Sequence, residues 1–598
     1  MIRFRSSLPA LLLSTTVLAG GPSALPEAAD TTAATPSADD LHAALFVDDL
    51  YPSATACRTC HPRHYEEWSV SQHAYAQVSP VFNAMQAKVN ELTNGSTGDF
   101  CIRCHTPVGM ALGEPVFTAA ENRHPTSLEG VTCVSCHRIN EAHGKFSART
   151  PLVTGSLHDT VYGPTGGDEV ARVIDSGDFK VTTAPGQGPG RPIHQMAERF
   201  FQLTEPSFCG RCHDVTQADG FRLEEAFSEY KTSHAAASGL ACQDCHMGKV
   251  PGDPTAGYDY GPAAVVGGVP TRDRKLTNHM IVGPDHTVIH PGIFPHSPAA
   301  KSLASMKDWV LFDWEAGWGT DDFEDTIEND DAFPPAWRSV DDRYDAREIL
   351  DDHLALLQKA DDTRVELLKT GYVLGDVRMK KQGRKGLRFD VDVVNGIDSH
   401  NVPTGFTAER IVFLRIELRD AAGELVFTSG DLDANGDLRD LHSRLVHAGE
   451  VPRDKQLFSL QSKFLTRNLR GGEREQVLAV NHSIDALPFL RPETVPTTLT
   501  GRPRGARLHK KGIEPGGKRT ASYRVDRKAL AGPGPHQLQV QLIAGMVPVN
   551  LIHAIQSVGF DFDLSAAEIA ERVVEGHRVL HERTLEIDLD GDHQAWGG

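Results

Sequence analysis

Ten cysteines in this 598-residue chain fall into one arrangement repeated five times. Cys57 and Cys60 precede His61, Cys101 and Cys104 precede His105, and Cys133 and Cys136 precede His137. Cys209 and Cys212 precede His213, and Cys242 and Cys245 precede His246, which leaves no cysteine over. Two thiols separated by two residues, with a histidine directly after the second, form the attachment pattern of haem c. The thiols add across the two vinyl groups of the porphyrin and the histidine reaches the iron from one face. Zinc sites and redox dithiols also use paired cysteines, but neither requires a histidine at the next position in five copies out of five. The same regularity argues against a disulfide framework.

Each iron then needs a sixth ligand, unless that position is kept open for a substrate. Histidine on both faces gives low-potential electron transfer, methionine raises the potential, and an open site permits chemistry. Beyond the five motif histidines the chain has 23 more of its 28. The distal candidates are His73 in "WSVSQHAYA", His194 in "RPIHQMAERFFQL", His279 in "KLTNHMIVGPD", His290 in "VIHPGIFPHSP" and His124 in "NRHPTSLEGVTC". His143, His158, His234, His286 and His296 are reserves, and Met110, Met247 and Met280 are read as core filler. His64 lies too close to His61 to cap the same iron and is read as packing. The segment around His73 reads as helix, which carries that ring about 18 Å along the axis from His61 and makes it the ligand of a different haem. His194 is read on a short helix leading into the fourth motif.

The elements that must position these residues follow from composition and pattern. All five motifs lie between residues 57 and 246, about 38 residues per haem. So little protein cannot isolate each haem in its own globule, so the haems form much of the core and lie nearly in contact. Between the motifs the chain reads as short helices and Gly/Pro-rich loops. Residues 302 to 371 turn helical and acidic, with Ile349, Leu350, His353, Leu354 and Leu357 at helix spacing. After them "YVLGDVRMKK", "GLRFDVDVVNG", "RIVFLRIELRD", "ELVFTSG", "KRTASYRV" and "HQLQVQLIA" alternate apolar and polar residues, the pattern of a β-sandwich. The last segment, "LSAAEIAERVVEGHRVLHERTLEIDL", reads as a terminal helix. "DLDANGD", residues 431–437, spaces oxygen ligands like the start of a calcium loop. His442 stands where that loop needs a glutamate, so a hairpin turn is preferred and calcium is the lesser reading.

The N-terminus has Arg3 and Arg5, an apolar run from Leu8 to about Ala19 and small residues near Ala24, which is a secretory signal pattern. The expected organisation is a signal peptide (1–24), a linker (25–48), a pentahaem domain (49–300), a helical connector (301–371), a β-sandwich (372–560) and a C-terminal helix and tail (561–598). The fold class is thus multidomain: a mainly α and irregular domain built around stacked haems, acidic helices, then the sandwich. The formal charge of -20 becomes about -22 without Arg3 and Arg5. Nucleic acid and anionic lipid are unsuited partners, whereas a redox protein with a basic docking patch fits. The oligomeric state is left open.

The opening motif followed by "YEEW" and "SQHA", with "GVTCVSCH", "FCGRCHD" and "LACQDCHM", resembles the multihaem cytochrome c family that includes the tetrahaem electron acceptor of hydroxylamine oxidoreductase, the cytochrome c-554-like proteins. The resemblance covers roughly residues 50 to 300. It implies stacked haem pairs, mostly bis-histidine ligated, with the histidine matching His73 as a distal ligand. His400 in "GIDSHNVPTG" resembles a loop of similar cytochromes and is a further candidate to face a haem. Five motifs depart from the four of the carrier and the eight of the oxidoreductase, so ligand pairing does not transfer wholesale. No Cys-x-x-Cys-Lys site is present, which removes the most direct sign of nitrite chemistry. The expected function is electron transfer outside the cytoplasm, in the periplasm or beyond, between redox partners. The alternatives are a multihaem oxidoreductase acting on a small nitrogen or sulfur compound at one five-coordinate haem, and a subunit of an extracellular cytochrome filament.

Overall fold

The structure is a computed structural model that describes residues 50–92, 95, 97–144, 149–215, 222–289, 297–383, 385–467, 473–476 and 507–589. The expected signal peptide and linker lie outside these residues, as do His290 and His296.

Gly, Pro and the cysteine motifs interrupt the N-terminal half every few residues, so its helices are short. Among the longer ones are α1 (Pro62–Ser69) and α2 (Pro80–Leu92), each opened by a proline whose missing N–H is harmless in a first helical turn. Brief strand pairs lie between and after the later motifs, Val161–Gly163 with Ala197–Arg199 and Asp259–Pro262 with Asp273–Leu276. Helix α3 (Val340–Gly371) is the 32-residue element expected from the acidic stretch, capped by the Ser339 hydroxyl, which accepts from the N–H of Asp342. Its Leu350 is fully buried, and Ile349, Leu354 and Leu357 pack beside it against Trp309, Phe312 and Trp337. His353 on the same helix lies 2.9 Å from the hydroxyl of Tyr75, tying α3 to the segment that carries His73. No helix among the described residues is long and apolar enough to cross a membrane.

Helix α3 runs directly into β1 (Tyr372–Lys381), followed by β2 (Leu387–Asn395), β3 (Ile411–Arg419), β4 (Leu425–Ser429), β5 (Lys518–Val525), β6 (His536–Gly545) and β7 (Arg578–Ile587). All six segments whose alternation predicts strands are strands. They form a three-stranded sheet in the order β5-β2-β1 and a four-stranded sheet in the order β4-β3-β6-β7. One face of each sheet contributes to a single core, with Phe389 and Val391 from β2, Tyr523 from β5, Leu414 and Ile416 from β3, and Val540 and Leu542 from β6. The C-terminal region is thus sheet-rich, and it belongs with the motif-bearing half to one compact unit, Asp49–Gly598. The two halves are joined by polar contacts: Arg410 pairs with Asp285 (3.0 Å), and Glu229 accepts from the Asn401 side chain (2.7 Å) and the Thr404 hydroxyl (2.6 Å).

The segment read as one terminal helix divides in two. Ala566–Glu575 is a helix (α4) with a Ser565/Glu568 capping box, but after Gly576 the chain becomes β7 and pairs antiparallel with β6 from His536↔Ile587 to Ala544↔Arg578. The free edge of β6 offers a ladder of backbone partners, and pairing there also buries Leu580 and Ile587 in the sheet core. That tertiary gain outweighs the helical preference of the local sequence. The "DLDANGD" stretch closes as a hairpin turn. Leu432 bridges Leu438, and the Asp433 carboxylate accepts from the N–H groups of Asn435 (2.8 Å) and Asp437 (3.1 Å) and from the Ser443 hydroxyl.

Glu409, 4% exposed, sits just before β3 near Lys463, with one carboxylate oxygen unpartnered. Burial pushes its carboxyl up to about 8, with Arg410 and Lys463 pulling the other way. An acid whose folded pKa is raised binds more protons folded than unfolded, so it lowers stability as pH rises from about 4.5 to about 8. The slope is at most about 1.4 kcal/mol per pH unit. Glu409→Gln is expected to flatten that part of the pH–stability curve and to be the more stable protein at pH 8, as measured by denaturant unfolding across pH.

Candidate functional site

Each motif occupies one turn of helical backbone, which is why its spacing works. The histidine N–H bonds back to the carbonyl of the first cysteine, at 2.8 Å from His61 to Cys57, 3.3 Å from His105 to Cys101 and 3.0 Å from His213 to Cys209. Motifs three and five are themselves the helices Cys133–His137 and Cys242–His246. An i, i+3, i+4 set lies on one face, so both thiols and the imidazole point to the same side.

The motifs also touch one another. The Cys133 thiol lies within hydrogen-bond reach of Cys57, Cys104 of Cys212, and Cys209 of Cys242. Cys136 stands near Cys212 as well. Motif three therefore adjoins one and four, and motif four adjoins two and five.

The motif imidazoles are held by their Nδ1 atoms. His61 Nδ1 lies 2.7 Å from the Ala263 carbonyl, His105 Nδ1 3.1 Å from Ala76 and His137 Nδ1 2.8 Å from Tyr162. An Nδ1–H committed to a carbonyl fixes the tautomer and leaves Nε2 free as a metal donor. His213 differs, with Nδ1 3.2 Å from the Glu224 carboxylate. Burial disfavours a charged His213, but Glu224 outweighs it and holds the ring up to about 9.

Two histidine pairs face each other across a gap. The ring centres of His73 and His213 are 6.3 Å apart, and those of His246 and His400 are 6.5 Å apart. Imidazoles on opposite sides of one metal, each with a nitrogen about 2 Å from it, hold their ring centres about 6 Å apart. The members of each pair come from segments remote in sequence. His61 and His64 are 6.1 Å apart, yet they share one helical turn at the start of α1, where no porphyrin fits. Burial, with the neighbouring histidines adding to it, lowers His73 to about 3 and His246 to about 4, which keeps both rings in the neutral, metal-binding form. Paired thiols, anchored Nδ1 atoms and opposed imidazole rings together fit haem c.

His73 does not stand on a helix. Helix α1 ends at Ser69, and His73 sits in successive turns, its carbonyl accepting from Val131 at 2.9 Å. Gly130, at φ +62, permits this approach, since a Cβ there would lie 2.4 Å from the His73 carbonyl oxygen. His194 is likewise not helical. It lies between the short strands Arg191–Pro192 and Ala197–Arg199, because Arg191 and Ile193 donate to the backbone of Lys180 and Thr182. His194 is half-buried near His61, and His279, its Nδ1 2.9 Å from the Thr277 carbonyl, is half-buried near His137 and His61. Burial and these neighbours lower both rings to about 4. His124 instead caps the helix Pro125–Leu128, its Nδ1 accepting from the N–H of Thr126 at 3.2 Å. His64 packs edge-on against His279 at 4.8 Å. Among the reserves, His158 Nδ1 meets the Ile193 carbonyl at 3.3 Å and His286 Nε2 the Arg572 carbonyl at 3.3 Å.

His400 is the residue that the motif region could not supply. It comes from the loop after β2, held by the Asn395 side chain, which donates to the His400 carbonyl at 2.9 Å, and by Asn401 and Thr404 on Glu229. Only the likeness of its loop to those of other cytochromes pointed to it in the sequence.

Residues 56–138, which hold the first three motifs, match the family model described as "Cytochrome c554 and c-prime". No curated protein matches the chain. Among solved structures, the penta-heme cytochrome c552 from Thermochromatium tepidum is similar at 17% identity and a TM-score of 0.47, over 90% of this chain and 99% of that one. Over its first three motifs, then, the chain resembles the multihaem cytochromes c of the c554-like kind, whose cofactor is covalent haem c.

Proposed function

We propose that the chain is an extracytoplasmic pentahaem cytochrome that carries electrons between redox protein partners. The observation that carries this reading is the adjacency of the five motifs, with thiols of one motif against those of the next. When bound, haem supplies one-electron exchange between ferric and ferrous iron. The protein's part is to hold the groups close and fix their axial ligands. His61, His105, His137, His213 and His246 would hold the irons beside their own thiols as proximal ligands, His73 and His400 would serve the fourth and fifth haems as distal ligands, and His194 and His279 would serve the region of His61 and His137. The order in space is one, three, four, with two and five both beside four. The two C-terminal sheets form a sandwich that covers the fifth haem and lends it His400.

Intact-mass measurement of the purified protein is expected to find five haem adducts on one polypeptide, and four adducts in a Cys242→Ala/Cys245→Ala double variant. Fewer than five adducts on the unaltered chain would overturn the reading. The four haems provided with a distal histidine should be low-spin, and a high-spin haem that binds nitrite or hydroxylamine would favour chemistry at an open iron instead.

A further inference from the structure

Among the five motif histidines, His213 is singled out by what holds it. Carbonyls of Ala263, Ala76 and Tyr162 face the Nδ1 atoms of His61, His105 and His137, and His246 is held by the Val282 carbonyl. His213 faces a carboxylate, Glu224 Oε1, at 3.2 Å. That carboxylate is built into place. Val215 and Glu224 exchange backbone hydrogen bonds (3.0 and 3.3 Å), and Leu223 also donates to Val215 (2.9 Å). The Glu224 side chain is 18% exposed and is closed over by Gly405 from the sheet-rich region. Gly405 has φ +74, and a Cβ there would stand 3.3 Å from Glu224 Oε1, so the loop can lie against the carboxylate.

A carbonyl acceptor orients an imidazole, whereas a carboxylate also draws the Nδ1 proton toward itself. The ring gains imidazolate character, Nε2 becomes a stronger donor, and an iron bound there is stabilised more as ferric than as ferrous. The negative charge of the carboxylate acts in the same direction. We infer that Glu224 is a positioning residue that holds the reduction potential of the fourth haem below the value it would have with a neutral acceptor. This rests on the reading that His213 ligates an iron. It has weight because the fourth motif is where the chain of motifs branches, so any route from motif one or three to motif two or five passes it.

The test is spectroelectrochemical titration of the full-length haem-loaded protein, comparing Glu224→Gln, Glu224→Ala and Glu225→Gln with the unaltered chain. Glutamine keeps the size and the acceptor oxygen and removes the charge. Glu225 carries the same charge one position on, but pairs with Lys510 and Arg222 rather than a motif histidine. In both Glu224 variants one haem of five is expected to show at least a tenfold higher reduced-to-oxidised ratio at a fixed applied potential. For a one-electron couple this is a shift of about 59 mV. A single low-spin paramagnetic resonance signal should move with it, and Glu225→Gln should leave all five curves within threefold of the original. Five-haem Glu224 variants whose curves superimpose on the original would overturn the inference alone, as would an equal shift from Glu225→Gln. Absence of haem at Cys209 and Cys212 in the unaltered chain would instead overturn the haem reading and this inference with it.

Discussion

His400→Ala is expected to convert one haem in five from low-spin to high-spin, without loss of any haem from the polypeptide. On the proposed reading the fifth haem would be held through Cys242, Cys245 and His246, all local to one helical turn, so covalent attachment would not need the distal ring. Removing the ring that faces His246 at 6.5 Å would leave an iron held there without a second histidine. The loop itself should persist, because Asn395 donates to the backbone carbonyl of residue 400 and Glu229 still receives Asn401 and Thr404. Visible absorption and paramagnetic resonance should therefore show about one fifth of the haem changed, and added imidazole should restore the low-spin form. His73→Ala should do the same for the fourth haem. His64→Ala is the contrast: its ring shares a helical turn with His61, so the spin state should stay as it was. A fully low-spin His400→Ala protein would show that the opposed rings do not share an iron.

The largest expected loss of stability follows from replacing Arg343 with methionine. Its side chain is 1% exposed, and Glu324, its partner, is 4% exposed. The guanidinium donates from Nε to Glu324 (2.9 Å), from Nη1 to the carbonyls of Trp337 (2.8 Å) and Arg338 (3.1 Å), and from Nη2 to Asp330 (3.0 Å). It also stacks 3.8 Å from the ring centre of Phe333. Methionine fills much of the volume but abandons a buried carboxylate and two carbonyls. Breaking a buried pair from one side costs about 3–5 kcal/mol, because the remaining charge is left without compensation. Adding Glu324→Gln to Arg343→Met should recover part of that loss, since no charge is then stranded. Denaturant midpoints of the haem-loaded proteins measure both effects, and a loss below about 1 kcal/mol for the single variant would show that the pair is not a support of this lobe.

Elements with strong local signals were readable from the residues. The 32-residue helix α3 carries its own cap, acidic first turn and apolar stripe. The six alternating segments became strands because period-two burial is a property of the segment itself. Residues 578–587 were misread because they lack a period-two alternation and the stop signal of Gly576 was passed over. They became β7 because β6 presented an unpaired edge and a core for Leu580 and Ile587. His194 and His73 were placed on helices for the same reason: local propensity was all that could be read, while backbone partners at Thr182 and Val131 decided their conformation.

By itself the sequence determined that two thiols and an imidazole within five residues meet on a single helical turn, whatever the rest of the chain does. It could not determine which ring faces which. His73 and His213 are 140 positions apart, His246 and His400 are 154 apart, and such separations are closed only by packing. The tertiary structure decided those oppositions, the adjacency of the motifs and the choice of Glu224 for His213. Each depends on short-range contact between segments that the order of residues leaves remote, and the burial that drives those segments together is not directional.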